Sequence, residues 1–433
     1  MDIIIIALLQ VIMYVVFITF LLRSGVVSNL PVLFILLIFI IWQLITPFYG
    51  YIHNYRTFFY LDIYEYYMPV MINYMVNLLF FIIGFISVNK TNINKNFIFS
   101  DRNYVVSIVF VRMLLIISLT CYILWGITSG KSLSSIFLVD FIKGNFGSVN
   151  TNEVERGNVY LLSLIGFITP AIFMAYFSEM KIKEFMFWLI IATVIYTSQG
   201  YRYRILLLGI GLLFLYMSST KVNYKKYIKL ILISIISITL LMQLANIRNE
   251  IRASQATASF SEESTTKSEY SKWFVSTRNY IAFASLLKYM DEHNLEHGYG
   301  ETMFLHIFIR AVPSSFFPSN HKPVPPALIV SADSWGSIDG FMSGEAYGCV
   351  AAAYYEFGFF GIIIISLIFG AIVAVINRKW AKDNSIYSRV LITIITVSLF
   401  QYITRGYLPG FVMTIGFMVL PMFFLRKNIY FRD

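Results

Sequence analysis

Long apolar runs recur along this entire chain, and they decide what it can fold into. A helix needs about 20 consecutive apolar residues to cross the hydrocarbon core of a bilayer. Only 13% of the residues are charged and 58% are hydrophobic, too few charges to cover a set of water-soluble domains. The sequence therefore predicts an all-α polytopic integral membrane protein with about eleven transmembrane helices. The predicted spans are residues 2–22, 30–50, 68–88, 104–128, 159–178, 184–199, 205–220, 227–246, 353–376, 385–402 and 409–425.

Positive charge is unevenly distributed between the two sides of these predicted helices. With the N-terminus outside, fifteen Lys and Arg residues fall in short segments on the inner side, and four fall in short outer loops. Cytoplasmic segments are enriched in Lys and Arg, so we predict an outer N-terminus and an inner C-terminus. This topology accounts for much of the net charge of +10, and no nucleic-acid partner is expected.

The predicted spans divide the chain into three parts. Residues 1–246 contain helices one to eight, with an outer loop at 129–158. Residues 247–352 form a large outer loop, and residues 353–433 contain helices nine to eleven.

The large outer loop has an internal organisation of its own. Residues 272–290 place apolar side chains on one helical stripe, which predicts an amphipathic helix lying along the membrane interface. Residues 299–345 are apolar but rich in Pro and Gly. This composition predicts a re-entrant segment near membrane depth, where irregular backbone is tolerated if it lines a cavity.

Arginine and lysine residues on the predicted outer face are candidates for a binding site. Arg202 and Arg204 follow a very short turn between two predicted helices, and Arg405 lies in the last outer turn. Arg310 and Lys322 belong to the Pro-rich part of the large loop. Guanidinium groups form paired hydrogen bonds with phosphate oxygens, so this set favours a lipid-borne diphosphate as ligand. Snorkelling to lipid headgroups, or pairing with an outer acid, is the alternative for the first two arginines.

Three acidic residues near the end of the large loop are candidates for other roles. Asp339 and Glu345 lie in a Gly-rich stretch, where a membrane boundary can raise the pKa of a carboxyl group enough for it to act as a general base. Each of them has a structural role as its alternative. The alternative for Glu356 is that it is an acidic residue at the start of a helix, where the helix dipole stabilises its charge.

Two histidines lie close in sequence to the loop cations. His306 precedes Arg310 by four residues, so a helix over 302–311 would place both on one face. His321 lies directly before Lys322. Both histidines are candidate bases, and an ordinary packed histidine is the alternative for His306.

Motifs for several other chemistries are missing from the sequence. It contains no Walker loop, no CxxC, no HExxH and no Asp-x-Asp, so neither a metal nor a cofactor is expected. Lys and Arg would then neutralise a diphosphate. Cys121 and Cys349 are expected to be free thiols. Since ATP and nucleotide sugars are cytoplasmic, chemistry on the outer face requires a substrate that arrives activated, such as a lipid-linked diphosphate sugar.

The order of several short motifs resembles the Wzy-type polymerases, which join oligosaccharide repeat units of O-antigen, common antigen or capsule. The resemblance covers the chain from about residue 190 to its end, and the first four helices match in hydropathy alone. The matching residues are Gly200 and Arg202; Arg310, Pro313, Pro318, Lys322 and Pro323; Phe357, Gly358 and Gly361; and Arg405 and Gly406.

This resemblance implies a metal-independent membrane glycosyltransferase of the C type, related in architecture to the O-antigen ligases. It would lie in the bacterial inner membrane with its active site facing the periplasm. A sugar hydroxyl of a repeat unit linked to undecaprenyl diphosphate would attack the anomeric carbon of the growing glycan, and undecaprenyl diphosphate would leave. A flippase and a chain-length regulator would be its partners, besides the lipid bilayer.

The family's motifs also imply roles for single residues. Arg202, Arg310 and Arg405 would hold the donor or acceptor diphosphates. Beyond what the resemblance implies, we infer that Arg204 and Lys322 assist them. We rank Glu345 first as the general base, His306 and His321 next, and Asp339 last.

Three other functions fit parts of the same pattern. An O-antigen ligase shares the architecture but transfers a finished glycan to lipid A core. A flippase or transporter would place ionisable residues deep within its helices, often in inverted repeats. A membrane acyltransferase would require a catalytic histidine in or beside a helix, a role that His306 could fill.

Overall fold

The computed structural model describes residues 3–23, 25–53, 57–58, 61–89, 104–128, 159–198, 202–219, 279–318, 322–327, 329–330 and 347–431. These residues are mostly helical. The helices are α1 (Ile3–Arg23), α2 (Leu30–Phe39), α3 (Thr46–Ile52), α4 (Tyr67–Val88), α5 (Ile108–Thr128), α6 (Val159–Leu164), α7 (Ile168–Ala175), α8 (Ile182–Ser198), α9 (Arg202–Ser219), α10 (Asn279–Glu292), α11 (His306–Ala311), α12 (Cys349–Lys382), α13 (Ile386–Arg405), α14 (Leu408–Val419) and α15 (Met422–Leu425).

Short turns and strands complete these ranges. A π-helical turn at Ile40–Ile45 joins α2 to α3, and another at Glu301–Leu305 leads into α11. The strands pair in two antiparallel two-stranded ladders of two or three residues. They are β1 (Thr57–Phe58), β2 (Leu61–Asp62), β3 (Tyr104–Val106) and β4 (Ile429–Phe431).

Seven helical stretches among the described residues are long and apolar enough to cross a membrane. This agrees with the prediction of an all-α membrane protein. The predicted spans at 159–178, 184–199 and 205–220 correspond to shorter helices, and the one at 227–246 lies outside the described residues, so a total of eleven stays a prediction. The seven stretches are Ile3–Arg23, Val27–Ile52, Tyr64–Val88, Ile108–Thr128, Cys349–Lys382, Ile386–Arg405 and Leu408–Asn428.

The chain divides into two compact units, and α13 and α14 contribute residues to both. The first unit comprises Met1–Phe97, Ser276–Asn384 and Ser398–Met413. The second comprises Ile98–Val275, Ser385–Val397 and Thr414–Asp433.

In the first unit, α4 and α12 cross closely because each has a glycine at the contact. A Cβ atom at Gly84 would collide with the backbone carbonyl of Leu367, and one at Gly370 would collide with that of Phe81. Small residues allow helix backbones in membranes to approach each other, where packing and hydrogen bonds drive association. The two glycines therefore fix the contact between these helices.

Side-chain hydrogen bonds join helices within the apolar packing of the first unit. Asn77 of α4 donates from Nδ2 to Oε1 of Gln43 at 2.9 Å, and Ser366 of α12 donates from Oγ to Oδ1 of Asn77 at 2.8 Å. Asn377 of α12 donates from Nδ2 to Oδ1 of Asn29 at 2.9 Å. These polar groups are buried, and their pairing reduces the cost of placing them among apolar side chains.

Helix α10 differs from the amphipathic helix predicted along the interface over 272–290. Its described residues are Asn279–Glu292, and Phe283 and Ser285 are buried there along with the apolar stripe. Tyr74 of α4 packs against Phe283, with ring centroids 5.8 Å apart. The helix therefore belongs to the interior of the first unit.

Helices of the second unit contact one another through close packing and through polar groups. A Cβ atom at Gly211 of α9 would collide with the ring of Phe173 in α7. Arg112 of α5 and Glu184 of α8 form a two-pronged ion pair, with both N–O distances at 2.7 Å. Cys121 of α5 is a buried free thiol, as is Cys349 in the first unit, so the prediction for the two cysteines is confirmed.

Candidate functional site

A buried carboxyl group in the first unit fixes the short helical segment that contains Arg310. Glu356 of α12 accepts a hydrogen bond on Oε2 from the backbone N–H of Gly300 at 2.7 Å. It also accepts from the backbone N–H groups of Thr302 and Met303 and from the Thr302 hydroxyl. The first N–H groups of a helix have no acceptor within the helix, and here the Glu356 carboxyl group is their acceptor. Glu356 thus tethers the start of residues 301–311 to α12.

The position of Glu356 depends on a kink in α12. Phe357 (φ −139°, ψ 15°) and Gly358 (φ 63°, ψ −154°) leave the helical conformation directly after it. The backbone N–H of Tyr299 donates to the freed carbonyl of Glu356 at 2.8 Å. A glycine is required at the kink, because its φ is positive and a Cβ atom would lie 2.9 Å from the ring of His297.

A second set of hydrogen bonds connects the stretch after Lys322 to the network around Glu356. The hydroxyl of Thr302, which donates to Glu356, accepts from the backbone N–H of Ala327 at 3.1 Å. The Tyr347 hydroxyl donates to the Ala327 carbonyl at 3.2 Å. Residues before α11, before α12 and after Lys322 are therefore joined through one buried network.

Arg310, Lys322 and Tyr407 meet at the end of α11, and we call them the cation cluster. Arg310 donates from Nη1 to the Tyr407 hydroxyl at 3.5 Å, and its guanidinium carbon lies 5.5 Å from the centre of the Tyr407 ring. Lys322 donates from Nζ to the backbone carbonyl of Arg310 at 2.7 Å. Among the described side chains, no acidic group forms an ion pair with Arg310. The cluster presents two cations and a hydroxyl at the surface of the unit.

Arg405 lies two residues before Tyr407, at the end of α13. Gly406 turns the chain with φ at 71°, and a Cβ atom there would collide with the backbone carbonyl of Gly348. The Asn279 side chain at the start of α10 donates to the carbonyl of Thr404. The turn is therefore fixed against the starts of α10 and α12, and the Arg405 side chain is exposed.

His306 begins α11, so the helix predicted over 302–311 is present, with a π-helical first turn. Only 3% of the residue is exposed, whereas Arg310 four residues later is exposed. Burial lowers the pKa of His306, and the nearby Glu301 carboxyl group opposes this shift. The imidazole is therefore neutral at pH 7 and packed inside the unit, the environment expected for an ordinary packed histidine.

Arg202 and Arg204 lie in the second unit. Arg202 is the first residue of α9. Arg204 is buried, and its guanidinium carbon lies 5.6 Å from the centre of the Tyr196 ring in α8. The Tyr196 hydroxyl is hydrogen-bonded to the Thr169 hydroxyl at 2.6 Å. Arg204 is thus enclosed by its own unit, where the aromatic face stabilises its charge.

Three of the predicted bases, His321, Asp339 and Glu345, lie outside the described residues. The structure brings together Arg310 and Lys322, and it places Arg405 two residues from the tyrosine that contacts Arg310. It locates no cluster of three or more His, Cys, Asp or Glu side chains suited to a metal in the part of the chain that it describes.

Two contributors to this site were not found from the sequence. The first is Tyr407, which follows Arg405 and Gly406 in the last outer turn; an aromatic residue two positions after an arginine was the available indication. The second contributor is the contact between Thr302 and Glu356, which are far apart in sequence. The glycines at 298 and 300, which predict a close approach of the backbone, gave the only local indication of that contact.

Comparisons with known proteins find no matching family model, no matching curated protein and no matching solved structure.

Proposed function

We propose that this protein is a membrane glycosyltransferase that polymerises lipid-linked oligosaccharide repeat units. The growing glycan on undecaprenyl diphosphate would be the donor, and a single repeat unit on the same lipid would be the acceptor. The observation that supports this proposal most directly is the cation cluster, in which Arg310, Lys322 and Tyr407 meet on a chain whose described residues include seven candidate membrane spans.

The chemistry of the transfer requires positive charge at a fixed position. When the acceptor hydroxyl attacks the anomeric carbon, the glycosidic bond to the diphosphate breaks and negative charge grows on the leaving oxygen. Preorganised donors at such an oxygen are worth about 2.7–4 kcal/mol each in the transition state. Arg310 supplies a fork of N–H donors, Lys322 is fixed by its bond to the Arg310 carbonyl, and Tyr407 offers a hydroxyl.

Other residues have proposed roles in the same reaction. Arg405 would bind a second phosphate group beside Tyr407. The diphosphate roles of Arg202 and Arg204, which lie in the second unit, stay predictions from the sequence. The acceptor's proton would pass to one of the candidate bases named above. The reaction would take place on the periplasmic side of a bacterial inner membrane, with a flippase delivering repeat units and a chain-length regulator as partner.

The proposal is tested in vitro with the full chain in nanodiscs. The purified protein receives one undecaprenyl-diphosphate repeat unit, without nucleotide and with a chelator present. A ladder of longer glycans is the expected product. Arg310→Ala and Arg405→Ala should lose nearly all elongation, and Arg310→Lys should recover little because the guanidinium fork is lost.

Arg112→Ala provides the matched control for these arginine variants. It removes the same side chain from a half-exposed ion pair with Glu184, in the second unit and outside the proposed site. It should elongate like the parent protein. Full ladders from both Arg310→Ala and Arg405→Ala would refute the assignment of the site. No ladder from the folded parent with its native repeat unit would direct the next assays to glycan transfer onto lipid A core and to lipid flipping.

A further inference from the structure

The segment around α11 exposes large aromatic side chains that have no role in the cation cluster. Phe304 is 51% exposed, Phe308 is 71% exposed and Phe316 is 77% exposed. Leu305 and Val312 are also exposed between them. Contiguous exposed apolar patches indicate a binding surface, and here the patch occupies most of one short segment.

This patch is continuous with the surface of a membrane-spanning helix. The Phe304 ring lies 6.2 Å from the ring of Phe357 at the kink of α12. Directly after the kink, Phe360 is 75% exposed, and Ile364 and Ile368 follow it one and two turns later on the exposed face of α12. An exposed apolar face on a spanning helix contacts lipid chains. The ring of Phe304 therefore adjoins a surface that lies against lipid.

Charge distribution around the patch matches the edge of a bilayer. The exposed Arg310 belongs to the same short segment as the exposed rings, Lys322 is hydrogen-bonded to its backbone carbonyl, and Glu301 is an acidic residue at the start of the segment. Aromatic and aliphatic side chains next to basic ones are typical of helices that lie in the interface, where the rings enter the acyl region and the cations stay at the headgroups. The helical hydrogen bonds of 301–311 satisfy most of the backbone, as a lipid contact requires.

We infer that residues 299–318 form a membrane-seated arm, in which Phe304, Phe308 and Phe316 insert among the lipid chains of one leaflet. The arm holds Arg310 at the level of the lipid phosphates. This contact with the bilayer is a property of the fold and does not depend on the proposed glycan chemistry. Among the possible occupants of the patch, lipid is favoured over a second copy or another protein because the patch continues the lipid-facing surface of α12.

The inference is tested by measuring the depth of spin labels in the full chain. Cys121 and Cys349 are replaced by alanine, and single cysteines are introduced by Phe308→Cys and Phe316→Cys. The proteins are placed in nanodiscs of phosphatidylcholine and phosphatidylglycerol. Collision rates of each nitroxide are measured with oxygen, which concentrates in lipid, and with a water-soluble nickel chelate. The removed rings are exposed, so neither change takes away buried packing.

Two reference labels define the limits of the measurement. Phe360→Cys reports the lipid-facing side of α12, and Glu296→Cys reports an exposed polar position before the arm. Labels at 308 and 316 should have a much lower collision rate with the nickel chelate than the label at 296. Their collision rate with oxygen should equal that of the label at 360. A label at Arg310→Cys should fall between 308 and 296 in depth.

Two results would overturn the inference. Nickel collisions at 308 and 316 as frequent as those at 296 would place the rings in water. Labels shielded from both reagents would show that protein covers the patch. The glycan assay tests the proposed function separately. Membrane contact of residues 299–318 without elongation, and elongation without this membrane contact, would each be detected.

Discussion

Replacement of Glu356 should release the start of the segment that contains Arg310. The carboxyl group accepts hydrogen bonds from the buried N–H groups of Gly300, Thr302 and Met303. In Glu356→Ala these donors lose their acceptor, and each buried donor left without one costs about 1–3 kcal/mol. Taking the lower value for all three gives about 3 kcal/mol for local opening. At about 1.4 kcal/mol per factor of ten, opening should become about a hundredfold more frequent.

The assay is hydrogen exchange of the full chain in nanodiscs, followed by mass spectrometry of peptides that cover 299–311. Exchange through local opening reports the free energy of that opening and leaves the spanning helices as an internal reference. Glu356→Ala should exchange about a hundredfold faster in these peptides. Glu356→Gln keeps one oxygen acceptor but turns an amide donor toward the N–H groups, so its rate should lie between those of the parent and the alanine variant.

Glu301→Gln is the matched control, because it neutralises an exposed acid in the same segment without touching the donors. Its exchange should equal that of the parent protein. Parent-like exchange of 299–311 in Glu356→Ala would refute the tether, and so would an equal acceleration in Glu301→Gln, since charge alone would then explain both.

Three further perturbations have expected outcomes. Gly406→Ala, at φ 71° and against the carbonyl of Gly348, should lower stability by about 1–3 kcal/mol. Gly416→Ala, in open space within α14, should not lower stability, and equal melting temperatures of the two variants in nanodiscs would contradict the packing argument. Burial lowers the pKa of His306, so below about pH 6.5 the unfolded chain binds a proton that the folded chain resists. The stability of the parent should therefore decrease more steeply than that of His306→Gln as the pH is lowered from about 7 to about 5, and identical pH profiles would refute this. Asn77→Ala should lower the free energy of unfolding by about 1–2 kcal/mol, because two interhelical hydrogen bonds are lost. The measurement is the concentration of denaturing detergent at which the protein unfolds. An unchanged concentration would show that other partners in the lipid phase replace the lost bonds.

Hydropathy predicted the positions of the long helices because each spanning helix must satisfy its own backbone in lipid. It did not predict the placement of α10. Its apolar stripe has helical periodicity, but Phe283 and Ser285 on either side of the stripe are buried as well, and Tyr74 of α4 packs against Phe283. Periodicity in one segment contains no information on which neighbours will flank it.

The candidate site was predicted in part. Arg310 and Lys322 were selected by charge and by the prolines around them, and the structure brings them together. Glu356 was interpreted as an acid at the start of its own helix, and the structure instead directs its carboxyl group to the start of another helical segment. That partnership spans 56 residues and depends on a kink that places the carboxyl group, so spacing in the sequence could not reveal it.

The glycine contact between α4 and α12 imposes an order on biosynthesis. The bond between Asn77 and Ser366 joins residues 289 positions apart, so α4 enters the membrane long before its partner exists. At about 5–20 residues per second, the ribosome needs about 15–60 s to make the intervening chain. During that interval the glycine-bearing face of α4 lacks its partner helix, and Oδ1 of Asn77 lacks the Ser366 donor, although Gln43 is already available to accept from Nδ2. Completion of the first unit is therefore a late, post-insertion step, and a ribosome that stalls before residue 349 leaves a nascent chain with an unmatched polar face for quality-control proteases to recognise.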